Sequence, residues 1–283
     1  MKIETVCVVG AGTMGHGIAQ VAAMAGYGTV LVDLNADQLA TALERIGANL
    51  DQGVARGKVS AQERQAALAR LSSQTDLSQG VSGAQLIIES VPENVALKRA
   101  VLGQCAAAAD GQAIIATNTS SLPLAQLISA VSEPGRFIGL HFFNPVHIQP
   151  LLEIVTTDQT SAATLQACIG VAAAMAKEPI VVRDSPGFAS SRLGLALGLE
   201  AMRMLEEGIA SAEDIDKAMT LGYRHPMGPL RLTDMVGLDV RLAIAETLAA
   251  EIDPVRFAPP ALLRRLVSEG KLGRKTGEGF YRY

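Results

Sequence analysis

The 283-residue chain has no tryptophan and only 4% aromatic residues, so its core cannot be assembled around large rings. It has three cysteines, Cys7, Cys105 and Cys168, far apart and without metal-ligand spacing. So odd and sparse a set argues against a disulfide framework or a metal site and fits a reducing cytosol. Charged residues make up 18% and the net charge is −4, which gives no global electrostatic case for nucleic acid or an anionic membrane as partner. No apolar run approaches the roughly 18 residues of a membrane span. The opening MKIETVCVVGAG places Glu4 and an early glycine turn where a signal peptide needs a longer apolar stretch. These absences lead us to expect a soluble, cytoplasmic protein.

What is abundant is small and aliphatic. Hydrophobic residues reach 49%, mostly Ala, Leu, Val and Ile, as suits strands buried on both faces between helices. Short apolar runs at Ile3–Val9, Thr29–Asp33, Gln85–Glu89, Ala113–Thr117, Phe137–Leu140, Leu151–Val155 and Pro179–Arg183 read as strands. Helical patterns intervene at Thr13–Ala25, Ala36–Ala55, Val95–Ala108 and Ala162–Ala176. Such alternation implies parallel pairing through crossovers, hence a doubly wound sheet. After RDSPGF the character changes to helices at Ala189–Glu207, Ala212–Leu221, Pro229–Ala250 and Pro260–Glu269. The expected organisation is an α/β domain over 1–184 and an all-α domain over 185–283, divided near Ser185–Pro186.

Between the first strand and the first helix lies Gly10-x-Gly12-x-x-Gly15. In that setting the first glycine makes a tight turn, the second lets a pyrophosphate approach the backbone, and the third allows close helix–strand packing. The helix N-terminus, with Thr13 and Met14, offers free N–H groups and partial positive charge to the phosphates. Asp33 follows Gly15 at the end of the second strand, where a carboxylate accepts hydrogen bonds from both ribose hydroxyls. Leu34 and Asn35 come next, with no Arg for a 2′-phosphate. The pattern indicates a Rossmann-type domain that binds NAD in preference to NADP.

Oxidation of an alcohol by hydride transfer needs a base for the hydroxyl proton. In GLHFFNP, His141 ends a strand, where ligands sit in open α/β sheets. Glu153, in PLLEIV, is a carboxylate that could fix the imidazole's tautomer and stabilise imidazolium. Ser120, in TNTSSL, offers a hydroxyl, although Ser120 or Ser121 could equally cap a following helix. Taken alone, His141 could also be structural and Glu153 an edge residue.

In order along the chain stand GAGTMGHGIA, NTSSL, GLHFFNPV, DSPGF, EDIDKAM, HPMGPL, DMVGLDV and KTGEGFY. With this string the chain resembles the 3-hydroxyacyl-CoA dehydrogenase family, in its short, monofunctional form acting on 3-hydroxybutyryl-CoA. The resemblance implies NAD-dependent, reversible oxidation of a 3-hydroxyacyl-CoA entering between the domains. It makes His141 the general base, Glu153 its partner and Ser120 a substrate contact. It places Glu93, Lys98, Asn118, Asn144 and Lys275 at the cofactor, and Arg56 and Lys58 near the 3′-phosphoadenosine end of CoA. A solvated basic helix end explains Arg56 and Lys58 equally well. The resemblance also implies a homodimer formed through the helical domain.

One departure stands out. The family usually carries Asn in GFxxNR as a substrate contact, whereas this chain reads GFASSR, with Ser191 at that position. Serine is shorter and lacks the amide's paired donor and acceptor. Two other readings remain at this level. One is a dehydrogenase of a free β-hydroxy acid, of the L-gulonate or carnitine type. The other is a non-catalytic NAD-binding protein, which would need to keep only Gly10–Gly15 and Asp33.

Overall fold

The runs of Val and Ile become strands of one eight-stranded sheet in the computed structural model, which describes residues 2–283. The strands are β1 (Thr5–Val9), β2 (Gly28–Val32), β3 (Leu71–Gln74), β4 (Leu86–Glu89), β5 (Ile114–Thr117), β6 (Phe137–Phe142), β7 (Leu151–Thr156) and β8 (Glu178–Arg183). Their order is β3-β2-β1-β4-β5-β6-β7-β8, with every neighbouring pair parallel except β6 and β7. The helices of this unit are α1 (Gly15–Met24), α2 (Ala36–Ala55), α3 (Ala61–Ala69), α4 (Leu77–Val81), α5 (Val95–Ala108) and α6 (Ala162–Ala174).

Local chemistry explains their limits. Asn35 caps α2 by accepting from the Asp37 and Gln38 amides, and Leu39, Ala42, Ile46 and Leu50 form its buried stripe at helical spacing. Asn94 caps α5 in the same way. Val6, Val8, Leu31, Leu86, Ile88, Ile114 and Ile138 join Ile18, Ala22, Ile46 and Leu50 in one buried cluster. This is the doubly wound, mostly parallel α/β sheet that the alternating pattern implies.

Two stretches differ from the sequence reading. Residues 60–81, left unassigned above, hold α3, β3 and α4. Ser60 and Glu63 form a reciprocal capping box at α3, and β3 (LSSQ) is a polar edge strand with no apolar run to announce it. The crossover argument also fails for β7, which runs antiparallel to β6. The link between Phe142 and Leu151 is too short for the roughly 10–12 residues or more of a parallel crossover.

The unit beginning at Pro186 is helical. It contains α7 (Ser190–Glu206), α8 (Ala212–Lys217), α9 (Pro229–Val236), α10 (Leu238–Glu251) and α11 (Ala261–Ser268). The single helix expected over Pro229–Ala250 breaks at Gly237, whose φ of +106° is a conformation that L side chains rarely adopt. Leu195, Leu199, Met202, Leu230, Leu238, Leu248 and Leu263 form its core. Buried carboxylates tie down the rest. Asp234 accepts from the Phe280 and Tyr281 amides and the Tyr283 hydroxyl, so the chain end is pinned to α9. Asp216 accepts from the Leu230 and Arg231 amides and the Tyr281 hydroxyl, which joins α8 to α9. Burial pushes the Asp234 carboxyl up despite these donors.

Candidate active site

The glycine loop after β1 is shaped by what glycine lacks. Gly10 has φ +105°, and a Cβ there would lie 2.7 Å from the Ser90 carbonyl oxygen. A Cβ on Gly15 would collide with the Gly10 carbonyl, whereas one on Gly12 would meet nothing within 4 Å. The loop is therefore packed beneath and open above Gly12. Helix α1 begins there with neither a side-chain cap nor an acidic residue in its first turn, so its N-terminal amides face no competing protein anion. Thr13 is exposed and Met14 partly buried at this edge. Asp33 is held at the rim, accepting from the Ala11 amide at 2.9 Å and the Asn35 amide at 3.0 Å.

At the ends of β4 and β5 a hydrogen-bonded network joins Glu93, Lys98 and Ser120, named above, to Glu89, which the motif reading did not find. Glu89 and Lys98 are wholly buried, with Lys98 Nζ at 2.8 and 3.1 Å from the two Glu89 oxygens. Thr117 Oγ1 and the Val91 amide also donate to Glu89, at 2.6 and 2.7 Å. Lys98 Nζ lies 3.4 Å from Glu93 as well. Glu93 Oε1 accepts from Thr119 Oγ1, the Ser120 amide, Ser120 Oγ and the Ser121 amide. Burial alone would raise the Glu93 carboxyl; the Lys98 ammonium and these donors outweigh it and hold the carboxyl below its ordinary value. Lys98 thus has no surface of its own at the site and acts from beneath Glu93. Glu89 was legible only as an acid ending an otherwise apolar strand, LIIE.

Ser120 is partly buried, and neither it nor Ser121 caps a helix. Thr119 Oγ1 accepts from the Ser121 and Leu122 amides, and Asp184 accepts from the Leu124 and Ala125 amides where only short 3-10 turns follow. Asn118 Oδ1 accepts from the Phe142 amide at 3.0 Å, tying the end of β5 to β6. Asn144 is exposed, just beyond β6.

The antiparallel register sets His141 opposite Glu153. His141 Nδ1 is 2.7 Å from Glu153 Oε2, and both side chains are buried, Glu153 completely. A buried carboxylate at that distance accepts from Nδ1–H, which makes Nε2 the acceptor nitrogen of the neutral ring. Phe143 lies against the imidazole with ring centroids 4.3 Å apart.

The family model described as "3-hydroxyacyl-CoA dehydrogenase, NAD binding domain" matches residues 5–185, and "3-hydroxyacyl-CoA dehydrogenase, C-terminal domain" matches residues 187–283. The chain belongs to the 3-hydroxyacyl-CoA dehydrogenase family. A 3-hydroxybutyryl-CoA dehydrogenase of Mycobacterium tuberculosis (strain ATCC 25618 / H37Rv) is 43% identical over 286 residues, covering 99% of each chain. The pig mitochondrial hydroxyacyl-coenzyme A dehydrogenase is 40% identical over 99% of this chain and 91% of its own. The crystal structure of (S)-3-hydroxybutyryl-CoA dehydrogenase PaaH1 from Ralstonia eutropha matches at a TM-score of 0.96 and 40% identity, over 100% of this chain and 99% of that one.

This dehydrogenase's NAD-binding unit therefore brings together Gly10, Gly12, Gly15, Asp33, Glu93, Asn118 and Ser120 along its strand ends, beside the His141–Glu153 pair. Arg56 and Lys58 are exposed just past α2. Ser191 and Lys275 belong to the helical unit, where Ser191 lies in the first turn of α7 and Lys275 pairs with both Asp239 oxygens at 2.6 Å. Gly15→Ala, which puts a methyl group into the Gly10 carbonyl, is expected to weaken NADH binding at least about 100-fold or to prevent folding, read by fluorescence titration and circular dichroism. Wild-type affinity in that variant would show that the loop does not need this close approach.

Proposed function

We propose that this dehydrogenase interconverts short-chain (S)-3-hydroxyacyl-CoA thioesters, 3-hydroxybutyryl-CoA among them, and their 3-keto forms, with His141 as acid–base and Glu153 as its partner. The observation that carries the reading is the 2.7 Å contact between two buried side chains placed opposite each other by β6 and β7. A pure NAD-binding protein has no need of that pair.

NAD, when bound, supplies the hydride acceptor in oxidation. The chain does the rest. The loop at Gly12 and the amides of α1 are the surface that fits a pyrophosphate, and Asp33 is the acceptor for ribose hydroxyls. His141 Nε2 takes the proton of the 3-hydroxyl as the C3–H bond breaks, and Glu153 offsets the positive charge that forms on the ring. In reverse, the imidazolium returns the proton to the 3-keto oxygen. Ser120, whose amide and hydroxyl donate to Glu93 at 3.0 and 3.3 Å, is the second polar contact toward that oxygen and donates to it on turning its hydroxyl away from Glu93. Arg56 and Lys58 are the cations offered to the phosphates of CoA. A homodimer through the helical unit is part of this reading. Among the described residues no helix is long and apolar enough to cross a membrane, and a cytoplasmic location is part of this reading.

The test is an assay of 3-ketoacyl-CoA thioesters of graded length with NADH and with NADPH, beside the free 3-keto acids. Turnover of thioesters with NADH is expected, and turnover of the free acids alone would transfer the protein to the free-hydroxy-acid class. NADH is expected to exceed NADPH at least about 100-fold in kcat/KM, because Asp33 would repel a 2′-phosphate. Asp33→Ser is expected to cut that ratio about tenfold or more, and an unchanged ratio would remove Asp33 from cofactor selection.

A further inference from the structure

Residues 143–150 join the strand of His141 to the strand of Glu153 and contain neither helix nor strand. Their backbone closes a turn in which the Pro145 carbonyl accepts from the Ile148 and Gln149 amides at 2.9 and 3.0 Å. The Val146 and Gln149 carbonyls lie outside that pattern. Both accept from Lys177 Nζ, the Gln149 oxygen at 2.7 Å. Lys177 is 7% exposed and stands in the turn between α6 and β8.

A buried ammonium is a costly tie. Lys177 makes no ion pair among the described residues, and burial pulls its pKa below the ordinary lysine value. It borders a cavity of about 250 Å³ with Met24, Ile148, Pro150 and Met175, and no acid lines that space. The ionisable neighbour there is another base, His147, which burial pushes down, with His16 and Lys177 adding to the fall. A methionine would occupy the same place without desolvating a charge. It would lack a donor for two carbonyls at once.

The clamp is rigid on its own side. Ala176 takes a φ of +54°, the Lys177 amide donates to the Ala172 carbonyl at 2.8 Å, and the Glu178 amide donates to the Pro150 carbonyl at 2.8 Å. From the other side the link rests on α1, where a Cβ on Gly17 would lie 2.9 Å from Val146 Cβ. Both ends of the link bear on the acid–base pair. Phe143 packs against the imidazole, and Leu151 opens the strand whose register sets Glu153 opposite His141.

We propose that Lys177 is a positioning residue for proton transfer: by holding the Val146 and Gln149 carbonyls it fixes the link, and through the link it fixes His141 against Glu153. This rests on the dehydrogenase reading above. Lys177 acts through His141 and not on the substrate.

The test is a double-mutant cycle on the single-turnover rate of acetoacetyl-CoA reduction, per NADH-binding site and at saturating NADH. Lys177→Met is expected to lower that rate roughly 30-fold, with the Kd for NADH and the KM for the thioester within about threefold of wild type. In a His141→Gln background the same change is expected to lower the rate less than about threefold, because the side chain it positions is gone. A lysine that served the fold alone would leave the rate per site unchanged. One with a separate effect on the reaction would cause its full loss in both backgrounds. Either result overturns the positioning role and leaves the dehydrogenase reading intact. Thermal unfolding checks that the variants fold. If Lys177→Met does not, Lys177→Gln, which keeps N–H donors without the charge, takes its place in the cycle; a loss of at least about fivefold that vanishes with His141→Gln is then expected, and no loss or an equal loss overturns the role. Wild-type protein that binds NADH but reduces no thioester overturns the dehydrogenase reading and the positioning role with it.

Discussion

His141→Gln is expected to lower kcat for acetoacetyl-CoA reduction by roughly 10³-fold while NADH still binds. Glutamine keeps a polar side chain of similar reach opposite Glu153 but cannot carry a proton between substrate and solvent. Its signature is in pH as well as rate. With His141 as the base, oxidation requires the neutral ring and its single-turnover rate is expected to rise with pH. With the imidazolium as the acid, reduction is expected to fall with pH. The two slopes have opposite sign, and both flatten in His141→Gln. Glu153→Gln keeps a hydrogen-bond acceptor near Nδ1 and removes the charge that steadies imidazolium, for a smaller loss of about 10- to 100-fold. Wild-type oxidation and reduction rates whose ratio stays flat with pH would take His141 out of proton transfer altogether.

The second large effect concerns stability. Lys98→Met is expected to destabilise the protein by about 3–5 kcal/mol, because it leaves Glu89 buried beside Thr117 and the Val91 amide without a counter-charge. Glu89→Gln combined with Lys98→Met removes both charges and is expected to restore much of that loss, since a buried pair contributes little net stability over a neutral replacement. Denaturant unfolding of the two single variants and the double variant measures the coupling. The same variants report on function, because Glu93 loses the ammonium that holds its carboxyl low, and with it the fixed position of Ser120. A rise in KM for NADH in Lys98→Met, reversed by no change in temperature, is the functional readout. Destabilisation below about 1 kcal/mol would show that the Thr117 hydroxyl and the Val91 amide already compensate Glu89.

The glycine loop, Asp33 and α2 were readable because each depends on local chemistry: a turn only glycine makes, an acid ending a strand, a cap followed by an apolar stripe. The direction of β7 was in principle readable from the short link before Leu151, but a strand's own residues do not state which way it runs. Residues 60–81 escaped because an exposed edge strand such as Leu71–Gln74 needs no apolar alternation. The break at Gly237 escaped because a glycine inside a helical pattern is usually tolerated, and its backbone angle is invisible in sequence. His141 and Glu153 could each be named, yet only the antiparallel register brings them together. Glu89 was missed because whether a charge is buried is decided by distant segments of the chain.

The alignment of β6 with β7 has a further consequence for how this enzyme can vary and still work. Side chains alternate between the two sides of a sheet, so a one-residue slide of β7 would carry Glu153 through to the opposite side while most backbone pairing survived. Changes in residues 143–150 are compatible with the pair only if they do not reset where the next strand begins to pair. Misalignment there would yield a protein that still looks folded in bulk spectroscopy but has His141 and Glu153 on opposite sides of the sheet, so the pair depends on an offset between strands as much as on its two residues.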